Sequence, residues 1–264
     1  MKISSATNPR IKQIVKFKDR KDRREKGLTI VEGIREIAVA RQSAIIFKEY
    51  YVCPEILSRY VKKDFFSEIN AQKIPVYEIP KEIFSKISFG DRQEGIVAVV
   101  EPKPWRLNDI KVAPQNVFVV VENVEKPGNL GAILRTCDAA GVAALLIADT
   151  STDIYNPNVI RASLGTVFSL SVVQASAAEI LSFLKQKRIR IVAASPQAKM
   201  DYTQVRFKWP LAFVVGNEHE GLSDLWLKAA DDQMRIPMQG KADSLNVSVS
   251  AAVLVYEAMR QLRD

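Results

Sequence analysis

Three loops gather the residues whose types and spacing could do chemistry. The first reads Glu122-Asn123-Val124-Glu125-Lys126-Pro127-Gly128-Asn129-Leu130-Gly131 and continues into a helical stretch through Arg135. Asn129 is of the type favoured at a helix N-cap. A helix N-terminus beside glycines is a natural anion site. Arg135 falls four residues after Gly131, and helical side chains lean toward the N-terminus, so its guanidinium would fold over the bare glycine. A phosphate there would meet backbone N–H groups and a guanidinium fork. A turn glycine, a cap and a surface arginine account for the same residues, and the residues alone do not choose.

The second loop, Val214-Val215-Gly216-Asn217-Glu218-His219-Glu220-Gly221-Leu222, also runs from a strand into a helix. Glycine at a strand end lets a ligand approach the backbone closely. A carboxylate there could orient a hydroxyl or offset a cationic ligand. Compensation of a helix N-terminus is the plain alternative for Glu218 and Glu220, and His219 reads as an exposed loop residue. The third loop, Ile236-Pro237-Met238 through Ser244-Leu245-Asn246-Val247-Ser248, leads into the last helix. Ser244 reads as its N-cap. Asn246, in the first turn, is a poor helix former whose side chain is expected to have another task, unless it is merely tolerated there.

Other chemistries are excluded by what is missing. One histidine and two distant cysteines, Cys53 and Cys137, give no local zinc set, no CxxC pair and no disulfide framework. That usage fits a reducing cytoplasm, and no metal is expected. There is no G-x-S-x-G elbow for a serine hydrolase and no G-x-G-x-x-G dinucleotide fingerprint. The chemistry must come from Asn, Ser, Glu, Asp, Lys and Arg, or from a borrowed cofactor.

The elements that position these loops alternate. Before residue 100, LTIVEG, EYYVCP, PVYEI and GIVAVV read as strands, and IREIAVARQ, PEILSRYVKKDFFSEI and PKEIFSKI as helices. Residues 105–115, with little periodicity and bracketed by Pro104 and Pro114, read as a linker between a domain over 1–104 and one over 116–264. In the second domain VFVVV, VAALLIA, IRIVAA and LAFVV are apolar throughout, the pattern of a parallel sheet covered on both faces. In the final helix Leu245, Val249, Val253 and Tyr256 share one face at helical spacing. Such a sheet binds ligands beyond its strand C-termini, where the three loops would lie.

The chain of 264 residues carries a net charge of +8, and its placement is uneven. Residues 1–30 hold ten Lys/Arg against three Asp/Glu, whereas the other 234 hold 28 against 27. Such an arm reads as a nucleic-acid contact or a solubilising helix, less readily as a membrane contact, since it lacks a face with Trp or Leu. No apolar run approaches the roughly 20 residues of a membrane span.

P-G-N-L-G-A-I-L-R-T, V-G-N-E-H-E-G-L and I-P-M…S-L-N-V-S, in that order, resemble the three motifs of the SpoU-type (TrmH-like, SPOUT superfamily) RNA ribose 2′-O-methyltransferases. V-E-G-I-R-E-I near residue 31 and Q-E-G-I-V-A-V-V near residue 93 resemble that family's N-terminal substrate-binding domain, itself similar to small ribosomal proteins. The resemblance implies a SPOUT-type parallel α/β sheet with a deep trefoil knot, joined to a smaller N-terminal α/β domain. It implies S-adenosylmethionine as cofactor, a homodimer, and RNA as substrate, with ribosomal RNA favoured over transfer RNA. A non-catalytic RNA-binding protein on the same fold is the alternative. By the same resemblance the catalytic set is Arg135, Asn129, Glu218, Ser244 and Asn246. The cofactor contacts are Ala194, Ser195, Gly216, Asn217, Ile236, Met238 and Leu245. The RNA contacts are Arg10, Lys12, Lys16, Arg20, Arg23, Arg24 and Arg35. His219 stands where the family usually has Gly.

Overall fold

The computed structural model describes residues 1–43, 45–61, 69, 73–90, 93–150, 152–217 and 220–263. The first hundred residues carry α1 (Pro9–Lys16), α2 (Arg20–Lys26), β1 (Thr29–Glu32), α3 (Ile34–Gln42), β2 (Ile46–Val52), α4 (Pro54–Leu57), β3 (Val76–Glu78), α5 (Lys81–Ile87) and β4 (Ile96–Glu101). Then come β5 (Val117–Glu122), α6 (Pro127–Ala139), β6 (Ala144–Ala148), α7 (Pro157–Ala162), β7 (Val172–Ala175) and α8 (Ala177–Gln186). The chain closes with β8 (Arg190–Ala194), β9 (Met200–Asp201), β10 (Leu211–Val215), α9 (Asp224–Ala229), β11 (Asp232–Arg235) and α10 (Val247–Gln261).

These elements form two compact units. One holds Met1–Lys103 together with Asp153–Ser169, the other Pro104–Thr152 with Leu170–Asp264. The excursion between β6 and β7, with α7, thus belongs to the first unit and not to the sequence that flanks it.

In the first unit, the sheet order is β1-β4-β2-β3, with β4 antiparallel to both β1 and β2 and β3 parallel to β2. Helix α1 starts on Pro9 behind Asn8, whose side chain accepts from the Arg10 N–H at 2.9 Å. Its Ile11 and Ile14 pack into a core with Phe17, Tyr51, Ile83 and Phe84. The helix expected from Pro54 onward ends at Leu57 as α4, and most of the rest of that stretch lies outside the described residues. The excursion is held by polar bonds. Thr29 Oγ1 donates to the Tyr155 carbonyl at 2.7 Å, and the Arg161 guanidinium stands 3.8 Å from the buried Glu32 carboxylate. Burial pushes the Glu32 carboxyl up, against the pull of its bonds from Ser88 and Phe89.

The second unit is a seven-stranded sheet in the order β7-β6-β5-β10-β8-β11-β9, parallel at every pairing. Strands β5, β6 and β10 are buried along their whole length, as their unbroken apolar runs require. Strands β7, β9 and β11 were not anticipated: they are short, and β11 reads Asp-Gln-Met-Arg. Backbone pairing makes β9 and β11 strands without an apolar run, as at Met234 opposite Ala194, while β7 buries only Val172 and Val173. The stretch read as a linker packs on this unit, with Ile110 buried in its core beside Leu107 and Val112.

Helix α10 corrects the expected stripe. Its buried face is Val247, Ala251, Leu254, Val255 and Ala258, lying against α6, β5 and β10, while Val249 and Tyr256 face outward and are exposed. The small side chain of Ala251 thus serves packing within the chain, where α10 approaches α6 closely.

Candidate active site

Strands β5, β8, β10 and β11 run parallel, so the loops that follow them collect beyond one end of the sheet. There a cavity of about 660 Å³ opens. Its wall includes Ala194 and Ser195 after β8, Gly216 and Asn217 after β10, and Ile236, Met238, Ser244 and Leu245 after β11. Gln197, Glu220, Arg235 and Asp243 also line it, and the sequence reading had named none of them as contacts. Arg235 is oriented by Asp201, which accepts from its Nε at 2.7 Å.

Backbone sets the shape of this cavity. At Gly216 an added Cβ would lie 2.1 Å from the Gly221 carbonyl oxygen and 2.3 Å from its carbon, so no side chain fits. The two strands of this loop meet in a bridge between Asn217 and Gly221, whose N–H donates to the Asn217 carbonyl at 3.0 Å. Gly221 has φ +70°, a left-handed conformation that suits glycine.

Polar side chains tie the loops together. Asn217 Nδ2 donates to the Asn123 carbonyl at 3.2 Å, joining the second loop to the first. The buried Glu122 carboxylate accepts from the Ser223 N–H at 2.8 Å and from Ser223 Oγ at 2.6 Å, holding the start of α9. Glu122 is a functional position that sequence reasoning missed. Its signal was a carboxylate ending an otherwise apolar strand. Asn246 Nδ2 donates to Asn129 Oδ1 at 3.1 Å, so the first and third loops meet through two of the expected site residues.

Two cap assignments change. Helix α6 starts at Pro127 behind Lys126, which puts Asn129 in the first turn and not at the N-cap. Proline, with its fixed φ and no N–H, suits the first helical position and starts the helix three residues early. Asn246, not Ser244, caps α10: its Oδ1 accepts from the Ser248 N–H at 3.0 Å and Ser248 Oγ at 2.6 Å. Ser244 is left in the loop, exposed in the cavity wall. Arg135 projects from α6 into solvent, and among the described residues it has no ion pair. Glu218 and His219 lie outside the described residues.

The expected RNA contacts divide. Lys12, Lys16, Arg20, Arg24 and Arg35 are exposed. Arg10 lies over the Tyr77 ring at 4.9 Å and pairs with Glu49, whose charge raises its pKa further. Arg23 is a correction: its side chain is 4% exposed, its Nε and Nη2 donate to Asp153 Oδ2 at 2.9 and 2.6 Å, and its Nη1 donates to the carbonyls of Phe17 and Lys18. With four of its five N–H donors engaged and its side chain buried, this guanidinium holds α2 to the excursion and is out of reach of a phosphate.

Among the described residues no group of three or more His, Cys, Asp or Glu could hold a metal ion, and no helix is long and apolar enough to cross a membrane.

An open parallel sheet with a glycine-shaped cavity beyond its strand ends defines an α/β enzyme that binds a nucleoside-sized ligand. The comparisons with known proteins agree. Residues 116–256 match the SpoU rRNA methylase family, and residues 8–98 match an MRM3-like substrate-binding domain. The chain belongs to the SpoU rRNA methylase family. It is 29% identical over 254 residues to the 23S rRNA (guanosine(2553)-2′-O)-methyltransferase RlmP of Bacillus subtilis (strain 168), covering 96% of this chain and 97% of that one. A solved RNA 2′-O ribose methyltransferase is 40% identical over the full length of both chains, with a TM-score of 0.87. The AdoMet-bound rRNA methyltransferase of Sinorhizobium meliloti is 28% identical, with a TM-score of 0.89, covering 99% of this chain and 98% of that one.

Proposed function

We propose that the protein transfers the methyl group of S-adenosylmethionine to a ribose 2′-hydroxyl of structured RNA, with 23S ribosomal RNA as the substrate. The observation that carries this reading is the convergence of three loops: two wall one cavity, and the Asn246–Asn129 bond brings the helix of Arg135 to the third.

The residues present fit the cofactor. A cavity of about 660 Å³ is in the usual range for a ligand of this size. The close backbone contact between Gly216 and Gly221 fixes the shape of the loop that walls this cavity. Gly216, Ile236, Met238 and Leu245 would hold the nucleoside, with Ala194, Ser195 and Asn217 beside them. Bound there, S-adenosylmethionine supplies an activated sulfonium methyl.

The chain's own residues do the positioning. Arg135 presents a planar guanidinium with N–H donors and no acceptor. It therefore binds the RNA phosphate next to the target and stabilises the alkoxide that develops on the 2′-oxygen. Asn129 and Ser244 orient that phosphate and the guanidinium. Asn246 and Glu218 would fix the loops and the nucleotide, so that the 2′-hydroxyl is presented to the activated methyl. Docking of RNA belongs to the unit of Met1–Lys103 with Asp153–Ser169, where Lys12, Lys16, Arg20, Arg24 and Arg35 offer exposed positive charge. Exposed Val249 and Tyr256 on α10 supply an apolar stripe for a homodimer. Residues 236–239 and 243–245 line the cavity before α10 returns to β5 and β10, and the trefoil knot belongs to this C-terminal part of the chain. With ribosomal RNA as substrate, the compartment is the cytoplasm.

The reading is tested by offering unmodified ribosomal RNA and transfer RNA separately with methyl-labelled S-adenosylmethionine. Label is expected in ribosomal RNA. Label in transfer RNA alone overturns the substrate. No cofactor binding and no transfer to either RNA supports the non-catalytic alternative.

A further inference from the structure

We infer that Thr152 is a positioning residue for the reaction, a clamp on the loop from which the helix of Arg135 starts. The role rests on the methyltransferase reading above, but the clamp itself does not.

The loop needs an external hold. Residues 123–126 join β5 to α6, and Lys126 provides no side-chain cap to the helix it begins. The carbonyls of Val124 and Glu125 point away from the sheet ladder and must find donors elsewhere. Two threonines supply them. Thr152 Oγ1 lies 3.0 Å from the Val124 carbonyl oxygen and 2.8 Å from that of Glu125, and Thr150 Oγ1 donates to Val124 at 2.9 Å.

The clamp is itself fixed. Thr152 is buried, its N–H donates to Thr150 Oγ1 at 3.1 Å, and its carbonyl accepts from Gln174 Nε2 at 2.7 Å. One hydroxyl therefore bridges two successive carbonyls from a rigid seat. Those carbonyls lie one and two residues before Lys126, and α6 then carries Asn129 and Arg135. A tilt at the start of this helix displaces a side chain two turns along it. Rate depends steeply on such displacement, whereas affinity for phosphate does not. Thr152 touches no substrate; it acts through the placement of Arg135.

The test compares Thr152→Val, which keeps the shape and removes the hydroxyl, with Thr152→Ser, which keeps the hydroxyl. Hydrogen exchange of the backbone amides of residues 128–131, which follow Pro127 and its missing N–H, reads the clamp directly in protein without RNA. Exchange is expected to rise about tenfold in Thr152→Val, the factor expected from losing about one hydrogen bond, and to return in Thr152→Ser. Thr150→Val, which removes one bond to Val124 and the acceptor of the Thr152 N–H, raises exchange as well. The single-turnover methylation rate at saturating RNA and cofactor is expected to fall about tenfold in Thr152→Val with both Kd values within about twofold of wild type. Unchanged exchange overturns the clamp. Faster exchange with an unchanged rate overturns the positioning role. Wild-type protein that methylates no RNA counts against the methyltransferase reading, and the exchange comparison still decides the clamp.

Discussion

The two units use ionic groups in opposite ways. In the docking unit, four charged side chains are buried among the described residues: Arg23, Glu32, Glu36 and Glu94. In the catalytic unit, Glu122 alone is buried among them, while Arg135, Ser244 and Asn246 face solvent and the cavity is shaped by backbone. The unit whose residues 8–98 match a substrate-binding domain thus uses some of its charge internally, to join a discontinuous chain. The unit that does chemistry keeps Arg135, Ser244 and Asn246 outside, where a substrate can reach them. Charge in a sequence reports binding only where burial leaves it available.

The largest expected effect breaks this comparison at its sharpest point. Arg23→Ala leaves Asp153 partly buried without its partner and should cost about 3–5 kcal/mol of stability, read as a lowered denaturant midpoint. Arg24→Ala, one residue along the same helix but exposed, should leave stability unchanged. If the two variants unfold alike, the division between structural and available charge fails.

Arg135→Ala comes next. It should lower single-turnover methyl transfer by about a hundredfold to a thousandfold, while binding of S-adenosylmethionine stays within about twofold. Gly216→Ala reverses that pattern. Its Cβ would overlap the Gly221 backbone, so the loop must shift, and cofactor affinity should fall about tenfold or more in calorimetry. Together they test whether side chains do the chemistry and backbone holds the cofactor.

The sequence carried the parallel sheet because strands buried on both faces must be apolar throughout, as in β5, β6 and β10. It carried the three loops because their glycines, asparagines and arginine serve no packing purpose. It did not carry β11, whose polar residues are strands by pairing alone. It misjudged the face of α10, where small residues such as Ala251 pack closer than the larger Val249 and Tyr256. It misread Arg23 because a run of basic residues does not say which one meets an acid 130 positions away. The same long-range pairing explains why Asp153–Ser169 reads as part of the second domain yet packs with the first unit.

Smaller effects sharpen the contrast. Arg24→Ala should weaken RNA binding a fewfold and reduce the salt slope of affinity by about one, measured by titration at several salt concentrations. In the docking core, burial raises the folded pKa of Glu32 above its unfolded value, so the unfolded chain releases this proton first. The group therefore subtracts stability as pH rises through the ordinary carboxylate range. Glu32→Gln should make stability rise more steeply from about pH 4 to about pH 6 than in wild type, as followed by thermal melts.

The central claim is methyl transfer to a ribose oxygen. It is tested most directly by labelling 23S ribosomal RNA with methyl-labelled S-adenosylmethionine and hydrolysing the product in alkali. A 2′-O-methyl group blocks cleavage at its own nucleotide, so the account predicts label in alkali-resistant dinucleotides. Label released in mononucleotides would place the methyl on a base and contradict the account.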